Sequence, residues 1–375
     1  MFTITHHDQH SQARTGFITT PHGQIRTPAF IPVATQAAIK GLSPAQMQEI
    51  GFEALLCNTY HLYLRPGEKT IKKLGGLHKF MGWNKPIFTD SGGFQVFSLN
   101  DGRCKVSDDC VEFKSHIDQS RHIFTPEKSM RIQRDLGADW VFAFDECLDI
   151  NADYETTKKS MVRTHAWAQR SLKSFQKMNK DKKQALYGIV QGGRFKDLRK
   201  ESAKFIAAQP FDAIGIGSVF GDPKEESQEL IQHTLKFLPR EKTRHLLGIG
   251  GVDDLFAYVK MGLDTFDCVL PTRLARVGYI FILPESGGKV KNKFRYRVLN
   301  EKFKDDKNPL DRNCGCYVCK NFSRAYIRHL FKAEELLAYT LATYHNLWFF
   351  QNLMKEIRES IEKDEFKELK RRWTG

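Results

Sequence analysis

Three aspartates stand where apolar runs end. Asp90 closes Ile87-Phe88-Thr89-Asp90, Asp145 closes Trp140-Val141-Phe142-Ala143-Phe144-Asp145, and Asp267 interrupts Phe266-Asp267-Cys268-Val269-Leu270-Pro271-Thr272-Arg273. A charge inside an apolar run is expensive to bury without a partner. A single such aspartate would be explained by an ion pair or a turn cap. Three of them in the same setting imply one shared pocket lined by carboxylates, groups suited to nucleophilic and acid–base work.

A second cluster, Cys314-Gly315-Cys316-Tyr317-Val318-Cys319, offers three thiolates on one tight loop, the usual start of a tetrahedral zinc site. The fourth ligand must come from elsewhere, and spacing alone does not choose between His329 and His345. Four protein ligands leave no open position, so the zinc is expected to be structural. The other five cysteines (Cys57, Cys104, Cys110, Cys147 and Cys268) are scattered and too sparse for a disulfide scaffold.

The elements that must position these residues are eight apolar, β-prone segments: 29–33, 54–57, 87–89, 140–144, 185–190, 213–217, 245–249 and 265–270. Helical patterns separate most of them. In 155–177, for example, Met161, Val162, His165, Ala168, Leu172 and Phe175 recur at helical spacing and would face a sheet. Alternating strand and helix implies parallel strands, either in a (β/α)₈ barrel or in a doubly wound sheet. The barrel is favoured because polar and glycine-rich sequence follows most strands, at the end where barrel enzymes assemble their sites. No G-x-G-x-x-G follows the first strand, which argues against a dinucleotide site. Residues 98–124 read as a hairpin or loop excursion over the barrel. Past Arg273 the pattern turns basic, then cysteine-rich, then helical. The expected organisation is thus a barrel core with an N-terminal extension (1–280), an inserted basic zinc-binding subdomain (281–345), and C-terminal helices (346–375) that complete the barrel and pack on the zinc site.

In 375 residues, 58 Lys and Arg face 44 Asp and Glu, a net charge of +14 that points to a polyanionic partner. Between Lys289 and Lys307, eight cationic residues are interleaved with Phe294, Tyr296 and Phe303, a mixture suited to a nucleic acid backbone and its bases. No apolar run reaches membrane-spanning length, and Met1 to Ser11 lacks the apolar core of a signal peptide, so the expected location is the cytoplasm.

Taken together these segments resemble the bacterial tRNA-guanine transglycosylases (the queuine tRNA-ribosyltransferase family), from about Thr15 to the C-terminal helices. The resemblance is carried by Thr89-Asp90-Ser91-Gly92-Gly93-Phe94-Gln95, Ala143-Phe144-Asp145-Glu146-Cys147, Gly188-Ile189-Val190-Gln191-Gly192-Gly193, the Asp267 segment, and the C-x-C-x₂-C cluster followed by His345. It implies a barrel enzyme that works as a homodimer and exchanges guanine at the tRNA wobble position for a 7-deazaguanine base through a covalent ribosyl-aspartate. By the same resemblance, Cys314, Cys316, Cys319 and His345 hold one structural Zn²⁺. Asp267 is similar to the nucleophile, and Asp90 to the carboxylate that holds the base and assists proton transfer. Asp145, Gln191 and the Gly217 backbone resemble the groups that read the guanine edge, Phe94 the ring that stacks on the base, and Cys147 a residue of the pocket wall. Arg273 and Arg276 match positions that engage the RNA.

Exchange of one base for another at the same carbon is chemically close to retaining glycoside hydrolysis, with one carboxylate attacking and a second group managing the leaving group's proton. Ser218-Val219-Phe220-Gly221-Asp222 departs from the family pattern beside the 7-substituent, where a Gly-Glu pair is usual. The shorter Asp222 would enlarge the pocket, whereas Phe220 directed inward would exclude a bulky substituent. A cationic aminomethyl group still finds an acidic partner or backbone carbonyls there, which favours 7-aminomethyl-7-deazaguanine as the incoming base, with queuine as the alternative. A tRNA-binding barrel without catalysis would lack one of the aspartates. A metal-dependent hydrolase would need histidines at the strand ends, and an aldolase a lysine on a strand.

Overall fold

The computed structural model describes residues 1–98, 104–217 and 224–375. Eight short apolar segments form one parallel sheet: β1 (Ala29–Pro32), β2 (Leu55–Cys57), β3 (Ile87–Thr89), β4 (Trp140–Phe142), β5 (Ala185–Val190), β6 (Ala213–Ile216), β7 (Thr243–Leu246) and β8 (Thr265–Cys268). β8 returns to pair with β1, and a parallel bridge between Val33 and Leu56 joins β1 to β2. The sheet therefore curls into a (β/α)₈ barrel. Strands covered on both faces need not alternate in polarity, which is why they read as continuous apolar runs.

All eight expected segments contain strands: 87–89 and 185–190 have the expected ends, and the other six differ at one end or both. The seventh begins at Thr243 and stops at Leu246, because Gly248 adopts φ 76°, a left-handed turn that ends extended backbone and that glycine accepts without strain. The eighth stops at Cys268, and Leu270 opens a short helix, Leu270–Ala275, whose first turn accommodates Pro271.

Large rings fill the barrel: Phe88, Trp140, Phe142 and Tyr187 are all buried, and the Phe142 and Tyr187 rings stack at 4.5 Å. Helix Tyr154–Met178, capped by the Asp153 carboxylate on the Thr156 amide, buries Met161, His165, Ala168, Leu172 and Phe175 as expected. Val162 is instead 53% exposed. It lies about 100° around the helix from Met161, so the two cannot both point at the sheet.

Two ionic staples hold the floor of the barrel. Arg14, from an N-terminal antiparallel sheet (Phe2–His7, Arg14–Thr20, Gly23–Thr27), forks onto the buried Asp264 at 2.8 and 2.7 Å. Asp139, just before β4, accepts from the Ile87 amide at 2.9 Å and pairs with His22 at 2.7 Å and His78 at 3.2 Å. The two imidazoles stack at 3.6 Å, so one carboxylate ties the N-terminal sheet, helix Gly76–Met81 and β3 together.

The expected excursion contains a three-stranded antiparallel sheet, Lys105–Val106, Val111–Lys114 and Arg121–Phe124; residues 99–103 of it lie outside the described residues. Beyond the barrel, strand Tyr279–Phe281, which pairs with Arg295–Arg297, and helices Tyr317–Asn321 and Arg324–Lys332 pack against helix Leu336–Glu362. That helix runs unbroken through position 345, where a boundary was expected.

The basic run needs a correction. Phe294 and Phe303 are buried, and Tyr296 donates its hydroxyl to the Leu310 carbonyl at 2.8 Å beneath the Arg324 guanidinium. These rings build the subdomain's own core and are not available to bases, whereas Lys289, Lys291, Lys293, Lys302, Lys304 and Lys307 are exposed. Among the described residues no helix is long and apolar enough to cross a membrane.

Burial alone would raise the Asp139 carboxyl, but the bonds from His78, His22 and the Ile87 amide hold it below its ordinary value of 3.8. Its stabilisation is therefore present above that value and is lost as pH falls through the lower folded one. Asp139→Asn, which leaves a buried partner unsatisfied, is expected to cost roughly 1–3 kcal/mol near neutral pH. Urea unfolding should show a lower midpoint, and an unchanged midpoint would contradict the staple.

Candidate functional site

The C-terminal ends of the strands surround a cavity of about 690 Å³. Asp90, Asp145 and Asp267 all line it, together with Gln191, Gly217, Phe94, Cys147, Arg273 and Arg276. The nine residues assigned one by one from the resemblance as catalytic, base-binding or RNA-binding therefore reach one space. The carboxylates sit within it, the exposed Arg273 lies on helix Leu270–Ala275, and Lys40 adds a further exposed cation to the lining.

Asp90 follows β3 directly. Its Oδ2 accepts from Asn58 Nδ2 at 2.5 Å and Gln95 Nε2 at 2.8 Å, and its Oδ1 from the Thr59 amide at 2.8 Å. Burial pushes this carboxyl up to about 6 despite the opposing bonds from Asn58, Thr59 and Gln95, and the charge of Asp267 pushes it the same way. A carboxyl poised there can give or take a proton near neutral pH.

Asp145 accepts from Ser91 Oγ at 2.9 Å and from Gln191 Nε2 at 2.7 Å. Burial raises it to about 6 as well, against those two bonds and with added repulsion from Asp90 and Glu146. Gln191 packs against Gly217 so closely that a Cβ there would come within 2.8 Å of its Nε2, which is why glycine follows β6. The Gly217 amide donates to Val190 O at 3.0 Å, and its carbonyl accepts from the buried Arg199 at 2.9 Å. Phe94, on the short helix Gly93–Ser98, is 53% exposed and presents its ring at the cavity. Three buried polar atoms of the lining have no hydrogen-bond partner among the described residues: Gln191 Oε1, Gln95 Oε1 and His61 Nδ1. Buried polar atoms are rarely left so, and three around one cavity mark a space shaped for a polar occupant.

Asp267, at the end of β8, is held differently. Both of its partners, His245 Nε2 and the Gly248 amide, meet Oδ1 at 3.0 Å. Oδ2 accepts no bond from the described residues, and the side chain is 13% exposed, toward the cavity.

Away from the cavity, His345 Nδ1 lies 3.8, 3.5 and 3.3 Å from the sulfurs of Cys314, Cys316 and Cys319. A tetrahedral ion bonded at about 2.3 Å to sulfur and 2.0–2.1 Å to nitrogen would separate them by roughly 3.5 Å. His345 Nε2 donates to Phe281 O at 2.7 Å, which leaves Nδ1 as the ligand atom, and the Cys319 and Asp311 amides approach the Cys316 and Cys319 sulfurs. The four residues form a group able to hold a metal ion, and His329 is not part of it.

Sequence reasoning missed the residues that orient the carboxylates: Asn58, Thr59 and Gln95 for Asp90, Ser91 for Asp145, and His245 with Gly248 for Asp267. Ser91 and Gln95 lie in the Thr89–Gln95 stretch that carries the resemblance, His245 and Gly248 in the expected strand 245–249, and Asn58 and Thr59 just past the expected strand 54–57. Which donor meets which carboxylate depends on barrel register, which one chain's pattern does not carry. Ser218–Asp222, on which the incoming base was read, lie outside the described residues.

A family model described as queuine tRNA-ribosyltransferase matches residues 8–375. The chain is similar to the queuine tRNA-ribosyltransferase of Thermoanaerobacter pseudethanolicus, 51% identical over 367 residues that cover 98% of this chain and 94% of the relative. It is 46% identical to a putative queuine tRNA-ribosyltransferase of Archaeoglobus fulgidus, covering 96% of each chain. To the Roseiflexus sp. queuine tRNA-ribosyltransferase it is 45% identical, covering 100% of this chain and 99% of the relative.

Carbon-13 titration of the carboxyl groups is expected to place Asp90 and Asp145 near pH 6. Because their folded values are raised, both are protonated below that point, and ionising them as pH rises costs the fold stability. In Asp90→Asn the Asp145 midpoint should move down, since one repelling charge is gone. Midpoints near 4 for both groups in the wild type would contradict the burial described.

Proposed function

The chain belongs to the queuine tRNA-ribosyltransferase family, glycosyltransferases that act on tRNA, and from that premise we propose that it replaces guanine at the wobble position of tRNA by a covalent double displacement on Asp267. The observation that carries this reading is the asymmetry of Asp267, with Oδ1 doubly held and Oδ2 free at the cavity. Oδ2 attacks C1′ of the ribose, the C1′–N9 bond breaks, and guanine leaves with the bonding pair and a proton. In this reading Asp90, whose carboxyl burial lifts to about 6, gives that proton to the departing guanine and takes one back from the incoming base. The incoming base then attacks C1′ from the face that guanine left, the pair returns to Oδ2, and configuration is retained over two inversions. One glycosidic bond is broken and one made, so no nucleotide triphosphate is needed.

Asp145 accepts from the N–H groups of the base, and Gln191 supplies its second Nε2 hydrogen and the unpartnered Oε1. The Gly217 carbonyl retains a lone pair for the same edge, Phe94 stacks on the ring, and Cys147 closes the wall. Arg273, Arg276 and the exposed lysines of 289–307 contact phosphates. We keep 7-aminomethyl-7-deazaguanine as the incoming base, because a cationic substituent is favoured in a cavity holding three carboxylates. The relatives carry queuine in their names, and exchange assays offering each base side by side decide between the two. The exposed Tyr317, Tyr326, Leu336 and Leu337 of the metal-binding subdomain offer an apolar surface for a homodimer, and the enzyme would work in the cytoplasm, where its tRNA is.

Cys314, Cys316, Cys319 and His345 hold Zn²⁺ in this reading. None of them lines the cavity, so the ion supplies no chemistry there and cross-links the subdomain to helix Leu336–Glu362. Cys316→Ser, or chelation with verified zinc loss, is expected to lower the melting temperature and weaken tRNA binding while leaving the barrel folded. An unchanged melting profile counts against a structural metal.

Asp267→Asn, nearly the same shape but a poor nucleophile, should lose at least about 10³-fold in exchange and form no denaturant-resistant RNA adduct, with tRNA affinity within about threefold of wild type. Adduct at wild-type level in this variant would refute the assignment.

A further inference from the structure

One side chain that orients the reacting carboxylate can also act on the reaction itself. His245 lies on β7 inside the barrel, fully buried, and contributes Nε2 to Asp267 Oδ1 at 3.0 Å and Nδ1 to Thr265 Oγ1 at 2.9 Å. A carboxylate only accepts, so Nε2 must carry a hydrogen, and Nδ1 of a neutral ring then accepts from the threonine hydroxyl. Asp267 thereby sets the tautomer, and the Thr265 hydroxyl supports it by donating to Nδ1. The rings of Phe142, Tyr187 and Phe88 surround the imidazole at 5.3, 5.8 and 6.3 Å, which holds its plane and keeps water from substituting for it.

We propose that His245 is a positioning residue for the second displacement. With the Gly248 amide it immobilises Oδ1 of Asp267, leaves Oδ2 as the atom that bonds to ribose, and stabilises the charge that returns to the carboxylate when the incoming base displaces it. The inference rests on the covalent reading given above. In the ester, Oδ2 is bonded to C1′ and Oδ1 is the carbonyl oxygen, facing two fixed donors. When N9 of the incoming base attacks C1′, its proton passes to Asp90, which gave one to the departing guanine, the C1′–Oδ2 pair returns to the carboxylate, and negative charge grows on Oδ1 between the donors. Donors aimed at charge that develops in the transition state lower the barrier to that step. In the first displacement the same donors steady a charge that is being spent, so they orient Asp267 without accelerating attack. Losing His245 should therefore slow adduct breakdown more than adduct formation, a split that general loss of packing would not produce.

The test uses the full-length protein with its tRNA and follows adduct formation and base-triggered breakdown separately. His245→Phe, whose ring fits the aromatic setting, is expected to slow breakdown roughly 10- to 100-fold, the effect of one lost charge-assisted hydrogen bond, with KM for tRNA within about threefold. His245→Gln, which can return an N–H to Oδ1, should recover most of the loss. Thr265→Val, which keeps the imidazole but removes the hydroxyl that donates to Nδ1, should slow breakdown about 3- to 10-fold and stands in should His245→Phe fail to fold. Breakdown at the wild-type rate in His245→Phe, or in Thr265→Val if that is the variant that folds, would overturn the proposal, as would equal slowing of both steps with no recovery in His245→Gln. No adduct in wild type, or an undiminished one in Asp267→Asn, would instead sink the covalent reading itself.

Discussion

Taking three carboxylates out of water into one cavity is the constraint around which the mouth of this barrel is built. Each charge would be costly if buried alone, and each repels the others. Asp90 is met by three donors, Asp145 by two and Asp267 by two. The compensation is unequal. For Asp90 and Asp145 burial still wins and lifts both carboxyls to about 6. Asp267 gathers its donors on one oxygen and leaves the other free, the arrangement that the proposed nucleophile requires.

Those donors can be aimed only because the other end of the barrel is fixed. The Arg14–Asp264 fork and the Asp139 junction with His22 and His78 lie at the starts of strands. Aromatic packing fills the middle, and the irregular turns that deliver the Gly248 amide and the Gln191 amide are confined to the strand ends. Such a division, with stability at the floor and chemistry at the rim, lets the loops carry strained or polar geometry while the sheet stays intact.

The fold was largely legible in the sequence, because a buried parallel strand must be apolar and its helix must be amphipathic, and both leave periodic traces. Strand ends were less so: the seventh strand was placed too late because its Gly248 turn looks like more strand. Phe294, Tyr296 and Phe303 were misread because alternation of cation and ring fits an RNA surface and a small subdomain core equally well, and only three-dimensional burial separates them. The aspartates and the metal cluster were visible as charges and thiolates in unusual places. Their orienting partners were not, since Asn58, Ser91, Gln95 and His245 are ordinary residues until barrel register brings them to a carboxylate.

The central claim is that ribose is carried on Asp267 between the departure of one base and the entry of the next. The most direct measurement is mass spectrometry of the enzyme–tRNA complex quenched in denaturant and digested with protease and ribonuclease. A ribose-linked peptide with the modification on Asp267 is the predicted result. Modification on Asp90 or Asp145, or none in a quenched complex that is actively exchanging base, would contradict it.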